Sequence, residues 1–389
     1  AVTPTGRSAP GVELRIDGGS FDTLRGKMAF GYADDHGDAF MAITADRSDS
    51  DRIHGDRKAL RFNGNVGLKL SERVETRFYA SAQTIRQKLA GALNETDAIA
   101  NPSKGNVFGD QARDIDSIRL QNRTTITLDD ATVAFGVYFN AKQLFHPIYQ
   151  VIDQKSEDRG VFGSVDLTGD IGGMPVALTL GSQARFGRTV ARQFVNLNGK
   201  SGAPTADAVQ KAQTINSYAE ARIAPLPALW LVAGGIYSHG ERKIDNRMAP
   251  ARSGQADFDS FAPKIGLLYE PSDRMQVYAN YSRSVEMPGF GELSQAPAGG
   301  APGFTPVGLQ KAWTAEIGTR GRAGIATWDV SVYRADIKGE MLQYSVVAGL
   351  IPAATFNADR TRHQGIEAGL DLTLSRWARL RQVYQYSDF

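Results

Sequence analysis

Residues 132–139 read TVAFGVYF, and large apolar side chains alternate there with smaller or more polar ones. Because successive side chains of a β-strand point to opposite faces, this period of two predicts a strand with one apolar face. The same period recurs in residues 24–32, LRGKMAFGY, and in residues 176–186, VALTLGSQARF. Helical spacing is not sustained. The pattern predicts an all-β protein of about seventeen strands, the first at Gly11–Gly19 and the last at Arg379–Phe389.

The composition excludes several classes of protein. The 389 residues include no Cys, which excludes disulfide and thiol chemistry. The 44 Lys and Arg are balanced by 42 Asp and Glu, so there is no basic excess of the kind that nucleic-acid binding requires. No apolar run approaches the ~20 residues of a membrane helix, so a membrane role would depend on strands.

The connections between the predicted strands differ in length. Short polar turns occur at residues 33–38, 71–74 and 128–130, and at similar intervals further along the chain. The predicted long loops are Lys88–Ile115, Phe145–Asp158, Val190–Gln213, Arg242–Asp259 and Glu286–Leu309. Tight turns at one rim and long loops at the other are typical of outer-membrane β-barrels.

The strand parity separates charged side chains from apolar ones. In the segment 24–32, Arg25 and Lys27 share one face, whereas Met28 and Phe30 share the other. So many charges cannot fill a dry core, but they can line a polar lumen. The sequence therefore predicts a transmembrane antiparallel up-and-down β-barrel whose apolar face contacts lipid. The predicted lumen cations are Arg25, Lys27, Arg77, Arg119, Arg123, Lys142, Arg185, Arg222, Lys264 and Arg320, and the predicted lumen anions are Asp46, Asp166, Glu220, Glu316, Glu367 and Asp371.

Four segments resemble TonB-dependent outer-membrane receptors, in the order of that family. Residues 277–293, VYANYSRSVEMPGFGEL, resemble a strand that rises into a long extracellular loop. Residues 11–32, GVELRIDGGSFDTLRGKMAFGY, resemble the first barrel hairpin after the plug, and residues 311–320, KAWTAEIGTR, and 356–372, FNADRTRHQGIEAGLDL, resemble two later strands. Residues 76–94, TRFYASAQTIRQKLAGALN, resemble a strand and loop of the iron-chelate branch of the family.

The resemblance implies a domain organisation. Residues 1–389 would form a partial barrel with about 17 of the family's roughly 22 strands. The N-terminal plug domain, with its contact motif for the energy-transducing partner, is absent from this chain, and VYQYSDF at the C-terminus resembles an interior strand. The first and last strands of such a fragment are not expected to pair regularly.

The resemblance also implies a function. The protein would be a receptor of the bacterial outer membrane for energy-coupled uptake of a ferric siderophore or another anionic iron chelate. Its partners would be that small molecule, the lipid bilayer and, through the missing plug, the TonB energy-transducing complex, with no nucleic acid. It would not be an enzyme. The alternative is a passive porin or another outer-membrane barrel, such as an adhesin or an enzyme, and the sequence upstream of Ala1 would discriminate between the two.

The candidate ligand contacts combine upper lumen positions with aromatic residues of the predicted loops. They are Gln83, Lys142, Phe145, Tyr149, Arg185 and Phe304. A cationic lumen concentrates anions, and Arg binds carboxylates in bidentate fashion. Alternatively, the lumen charges pair with one another and with the plug. The five His are dispersed, so neither a protein metal site nor a cofactor is expected.

Overall fold

A computed structural model describes residues 3–105, 107–295, 302–344 and 354–389. The strands are β1 (Gly11–Gly19), β2 (Thr23–Ala33), β3 (Gly37–Ser48), β4 (Arg57–Ser71), β5 (Val74–Gln87), β6 (Asp114–Thr127), β7 (Ala131–Pro147), β8 (Gln150–Ile171), β9 (Met174–Leu197), β10 (Lys200–Leu226), β11 (Leu229–Asn246), β12 (Gly254–Ser272), β13 (Met275–Glu286), β14 (Ser294–Gln295), β15 (Gly303–Phe304), β16 (Gln310–Ala323), β17 (Ala326–Tyr344), β18 (Ala354–Thr373) and β19 (Arg379–Asp388). Two short helices, α1 (Glu95–Ala100) and α2 (Phe290–Leu293), lie in loops.

Seventeen of these strands form one antiparallel sheet, in which each strand pairs with the next along the chain. The remaining two, β14 and β15, form a separate ribbon. The all-β class, the strand number and the first strand, Gly11–Gly19, are confirmed. No ladder joins β1 to β19 among the described residues.

The turns at one rim are short, as predicted. Asp34 closes the turn between β2 and β3, where its Oδ1 accepts hydrogen bonds from the N–H groups of His36 and Gly37 at 2.8 and 2.9 Å. These two donors favour the carboxylate and lower the pKa of Asp34 below its usual value. At this rim the chain therefore reverses within a few residues, and the turn is held by its own side chain.

Three of the predicted long loops are wrong or too long. Strands β7 and β8 run through Phe145–Asp158 and meet at a tight turn after Pro147. Likewise, β9 and β10 occupy most of Val190–Gln213, with a two-residue turn between them. Polar side chains do not interrupt a backbone ladder outside lipid, so polarity alone does not distinguish a loop from an extended strand. In Arg242–Asp259 the loop is limited to the residues between β11 and β12.

Two predicted loops are present at the outer rim. Residues 88–113 contain α1 and a 3₁₀ turn at Phe108–Asp110. Residues 287–309 contain α2 and the β14–β15 ribbon, and residues 296–301 within this loop lie outside the described part. The long connections are thus fewer than predicted, and they lie at the end opposite the short turns.

The ladders confirm the two faces of the wall. Phe30 lies opposite Met41, and Phe135 and Val137 are exposed, as expected for lipid-facing side chains. Residues of this apolar face form a shallow outer groove: Phe30, Met41, Val66, Phe78, Leu120, Val137 and Phe139. The registers place all ten predicted lumen cations on the opposite face, which Arg119 shares with Asn140.

Register irregularities occur only near strand ends among the described residues. Three follow a short turn or precede it, at Lys69/Ser71, Ile223/Leu226 and Tyr269/Ser272. The other two, at Ser201/Pro204 and Pro204/Ala206, lie at the outer end of β10. The central part of every ladder is regular. No helix in the described ranges is long and apolar enough to cross a membrane.

Candidate ligand-binding site in the barrel lumen

A cavity of about 1230 Å³ lies in the lumen, against β4 to β11. Three of the predicted contacts, Gln83, Lys142 and Arg185, line it together. They come from three different strands and are brought together because each lies at a lumen-facing position of its strand. The cavity is large enough for a small organic chelate, since small-molecule pockets measure about 300–1,000 Å³.

The lining of the cavity is strongly basic. Its charged residues at lumen-facing positions are Arg119, Lys142, Arg185 and Arg242, with Asp158 as the acidic one, whereas Arg188 borders the cavity from an outward-facing position opposite Lys211. Arg185 is held by Asp158 in a fork, with Nη2 2.9 Å from Oδ2 and Nε 3.3 Å from Oδ1. The charge of Arg185 is therefore largely compensated within the wall.

Two other lumen cations have no such compensation. Arg119 and Lys142 lie diagonally across the β6–β7 ladder, and neither has an acidic partner among the described residues. The undescribed residues include no Asp or Glu, so they offer no partner either. These side chains are free to bind an anion that enters the cavity. The expectation that the lumen charges pair with one another holds for Arg185 but not for Arg119 and Lys142.

Arg242 is a cavity residue that the sequence analysis missed. It lies fourteen residues into β11, counted from Leu229, beyond the roughly 9–11 residues that cross the hydrocarbon layer. Its Nη1 donates to the carbonyl oxygens of Gln213 and Glu241 at 2.8 and 2.9 Å. Burial, and secondarily the nearby Arg185, lower the pKa of Arg242. Continued alternation along β11 would have placed Arg242 in the lumen, but the sequence analysis assigned it to a loop.

Two glycines shape the wall of the cavity. A Cβ atom on Gly160 would lie 2.5 Å from the ring of Tyr138, and one on Gly181 would lie 2.4 Å from the ring of Tyr218. Both tyrosines therefore lie flat against the strand next to them. The Tyr138 hydroxyl accepts a hydrogen bond from Gln183 Nε2 at 3.1 Å. These rings supply polarisable surface next to the basic side chains, which suits a flat, aromatic anion.

The 287–309 loop forms part of the roof. Leu293 of α2 packs with Ile244 and Val307 in a small buried cluster, and Phe304 packs against it. Gln295 exchanges two hydrogen bonds with the backbone of Thr355, at 3.1 and 3.2 Å. Through these contacts the loop is fixed to β11 and β18. The first residue of α2, Phe290, lines the cavity from above.

The three aromatic candidates are not brought into the main cavity. Phe304 belongs to the buried cluster under the roof. Tyr149 lines a neighbouring cavity of about 710 Å³, which shares Phe290 with the main one. Phe145 lies opposite Asp114 and Asp153, on the outward face of β7. Parity could have excluded Phe145, but the contacts of Tyr149 and Phe304 depend on how distant loops pack.

No group of three or more His, Asp or Glu residues in the described ranges is arranged to hold a metal ion. The side chains that line the cavity supply guanidinium, ammonium, amide, phenol and hydroxyl groups and a carboxylate, that of Asp158. Guanidinium and ammonium groups donate hydrogen bonds and do not coordinate cations. The chemistry available in this cavity is therefore recognition of an anion.

Residues 11–389 match the family described as TonB dependent receptor-like, beta-barrel. The chain belongs to this family, whose barrels reside in the bacterial outer membrane. The family is one of receptors rather than enzymes.

Solved structures with the same fold differ in what their names say they transport. The chain is similar to the ferric citrate transporter FecA (TM-score 0.77, 14% identity, 95% of this chain and 57% of that one). It is also similar to the ferric yersiniabactin uptake receptor FyuA from Yersinia pestis (0.75, 16%, 98% and 62%) and to the copper transporter OprC (0.73, 13%, 97% and 61%). At these identities the likeness shows the fold alone. The chain spans less than two thirds of the length of each.

Proposed function

We propose that this chain is the barrel of an outer-membrane receptor that binds a ferric siderophore or another anionic iron chelate and imports it by energy coupling through TonB. The observation that supports this proposal best is the basic lumen cavity with two uncompensated cations, Arg119 and Lys142. The neighbours named as ferric citrate and ferric yersiniabactin proteins favour an iron chelate. The iron would be cargo, chelated by the small molecule.

The residues of the cavity have distinct roles in this proposal. Arg119 and Lys142 would contact the anionic groups of the chelate directly, because no carboxylate competes for them. Arg185 would contribute less, since Asp158 already occupies its fork. Gln83 would donate a neutral hydrogen bond at the upper edge. Tyr149 and Phe304 remain proposed contacts only for a bound state in which the outer loops rearrange, whereas contact by Phe145 would require the outer end of β7 to leave its ladder.

The binding test compares two arginines on one strand. Arg119 and Arg123 share β6 and its lumen face, but only Arg119 is among the lining residues of the cavity. In the full-length natural protein, Arg119→Gln should weaken binding of an anionic ferric chelate about 10- to 100-fold, the usual effect of a lost hydrogen bond to a charged group. Arg123→Gln should change the affinity by less than about 3-fold. Isothermal titration calorimetry with anionic, neutral and cationic ferric chelates measures both.

The outcome that contradicts an anionic cargo is equal or better binding of the neutral and cationic chelates. Energy coupling is tested separately, by uptake of radioactive iron chelate into cells with and without a protonophore. A receptor coupled to TonB loses uptake when the proton gradient collapses. Uptake that persists would instead support the passive porin.

A further inference from the structure

The outward face of β16, β17 and β18 changes from apolar to basic along the strands. In its lower part, Ile317, Val332 and Ile366 lie directly opposite one another and are exposed, as lipid-facing side chains are. Three rows further out, Lys311, Lys338 and Arg360 lie directly opposite one another on the same face. Of the two rows between, the lower carries Arg334 and the upper carries Arg362. We call Lys311, Arg334, Lys338, Arg360 and Arg362 the basic outer cluster.

The basic outer cluster has little internal compensation. Arg334 and Arg362 share one carboxylate, since each Nε lies 3.0 Å from an oxygen of Asp336. Lys311, Lys338 and Arg360 have no acidic partner among the described residues. The undescribed residues 345–353, which connect β17 to β18, contain no Asp or Glu. Five cations therefore share one anion.

This arrangement is unfavourable for an isolated barrel. Like charges directly opposite on neighbouring strands are destabilising. The ligand of the lumen cannot relieve them, because the cluster is on the other face of the wall. An anion bound outside the barrel would relieve this repulsion.

The height of the cluster indicates where that anion lies. Arg334 is the ninth residue of β17, counted from Ala326 at the short turn. A tilted strand crosses the hydrocarbon layer in about 9–11 residues, so the cluster begins at the outer boundary of that layer. Trp313, stacked on Tyr281 at 4.9 Å and 14°, marks the same level. Aromatic belts of this kind lie at the membrane–water interface.

We propose that the basic outer cluster binds the phosphate groups of a phosphorylated lipid in the outer leaflet. Lipid phosphates lie at the level of the cluster and face it from the membrane. Arg and Lys contact phosphate oxygens with charge-assisted hydrogen bonds. The apolar row of Ile317, Val332 and Ile366 continues directly below and would contact the acyl chains of the same lipid.

Another sector of the wall supplies a matched control. Lys211 and Lys243 are also directly opposite on neighbouring strands and on the outward face. Both, however, lie close to Asp245, at 3.5 and 3.3 Å. Each of these lysines has an acidic neighbour within the protein, which Lys338 and Arg360 lack in the described ranges, so they should depend less on a lipid phosphate.

The experiment measures binding of diphosphorylated lipid A to the full-length natural protein in dodecyl maltoside micelles, by native mass spectrometry. The double variant Lys338→Gln/Arg360→Gln should lose at least 10-fold in affinity. The double variant Lys211→Gln/Lys243→Gln removes the same charge and should lose less than 3-fold. Lipid A with its phosphates removed should bind the unmodified protein at least 10-fold more weakly.

Three results would overturn the proposal. They are equal losses of affinity in the two double variants, equal affinity for lipid A with and without its phosphates, and complete displacement of bound lipid A by millimolar inorganic phosphate. A second measurement separates binding from folding. Without lipid A, Lys338→Gln/Arg360→Gln should have an unchanged or higher Tm, because the repulsion is relieved. A lower Tm with unchanged lipid binding would make the cluster structural. The test does not involve the cargo and is therefore independent of the proposed function.

Discussion

Asp38 and Arg77 form a buried ion pair at the short-turn rim, with side chains only 2% and 10% exposed. Arg77 Nη2 lies 2.6 Å from Asp38 Oδ2, and Nη1 donates to Asn65 Oδ1 at 2.6 Å. The N–H of Gly6 donates to the same carboxylate at 2.9 Å. One pair of side chains thus connects β3, β4, β5 and the segment that precedes β1.

Removing one member of this pair should be strongly destabilising. Asp38→Ala leaves the buried Arg77 guanidinium with only the half-exposed Glu75 as an acidic partner among the described residues, at 2.9 Å, and we expect a loss of about 3 kcal/mol in the free energy of unfolding. Urea unfolding of the barrel in detergent measures it. The exposed pair Arg15–Asp17 provides the comparison, and Asp17→Ala should cost less than about 1 kcal/mol. Similar losses in the two variants would contradict a role for burial.

Single residues also show what the sequence could not predict. Parity placed Arg77 and Lys142 on the lumen face, because that depends only on alternation within one strand. Partners such as Asp38 or Asp158 are separated from their arginines by 39 and 27 positions in the chain. Which of the lumen cations are compensated therefore depends on ladder register, which alternation does not determine.

The β9–β10 hairpin extends furthest beyond what the sequence predicted, because most of the predicted loop Val190–Gln213 is paired strand. It turns at Asn198 and Gly199, with φ of 52° and 85°. Its turn is also attached to the 88–113 loop, because Asn196 Nδ2 donates to the carbonyl of Gly109 at 2.8 Å. A Cβ on Gly199 would lie 2.7 Å from Asp110 Oδ2. The other oxygen of the same carboxylate, Oδ1, binds Lys88. The tip of the hairpin and the loop thus stabilise each other.

A substitution at the tip should therefore loosen two elements. Gly199→Val places a β-branched residue at positive φ, with a cost of about 1–2 kcal/mol, and displaces Asp110. We expect faster hydrogen exchange both in the hairpin tip and in residues 107–112. Gly172→Val has the same backbone problem at φ 62°, but no neighbour lies within 4 Å. For Gly172→Val we expect faster exchange only in the turn that contains residue 172. If exchange in Gly199→Val were also faster only in its own turn, the hairpin tip and the 88–113 loop would not be coupled.

The strands were predictable in the part of the wall that contacts lipid, because lipid requires apolar side chains on one face. Each strand crosses lipid, so alternation of apolar and polar residues is strong and the first strand was located to the residue. Beyond the membrane both faces are wet, and this selection disappears. Phe145–Asp158 and Val190–Gln213 accordingly resemble loops in composition, although their backbones are paired.

The wall of the barrel contacts lipid on one face and the polar lumen on the other. A pair of substitutions at the same height in the wall distinguishes the two faces. Val137 faces lipid, and Gln121 on the neighbouring strand faces the lumen. Val137→Arg should destabilise the barrel by about 2–4 kcal/mol in a bilayer, the effect of Arg near the midplane. Gln121→Arg should cost less than about 1 kcal/mol. Unfolding in phospholipid vesicles measures both, and equal costs would mean that the faces are assigned the wrong way round.

The regular ladders have a consequence for how such a chain can change its length. Deleting one residue within a membrane-crossing segment would exchange the lipid and lumen faces of everything beyond it up to the next turn. Deleting two residues would preserve the lipid and lumen faces and would only shorten the strand. The five irregularities among the described residues lie where one extra residue is harmless, next to the short turns or above the membrane. Insertions and deletions between related chains should therefore contain an even number of residues inside the membrane-crossing strands and any number in the loops. Counting the lengths of gaps in a sequence alignment would test this rule.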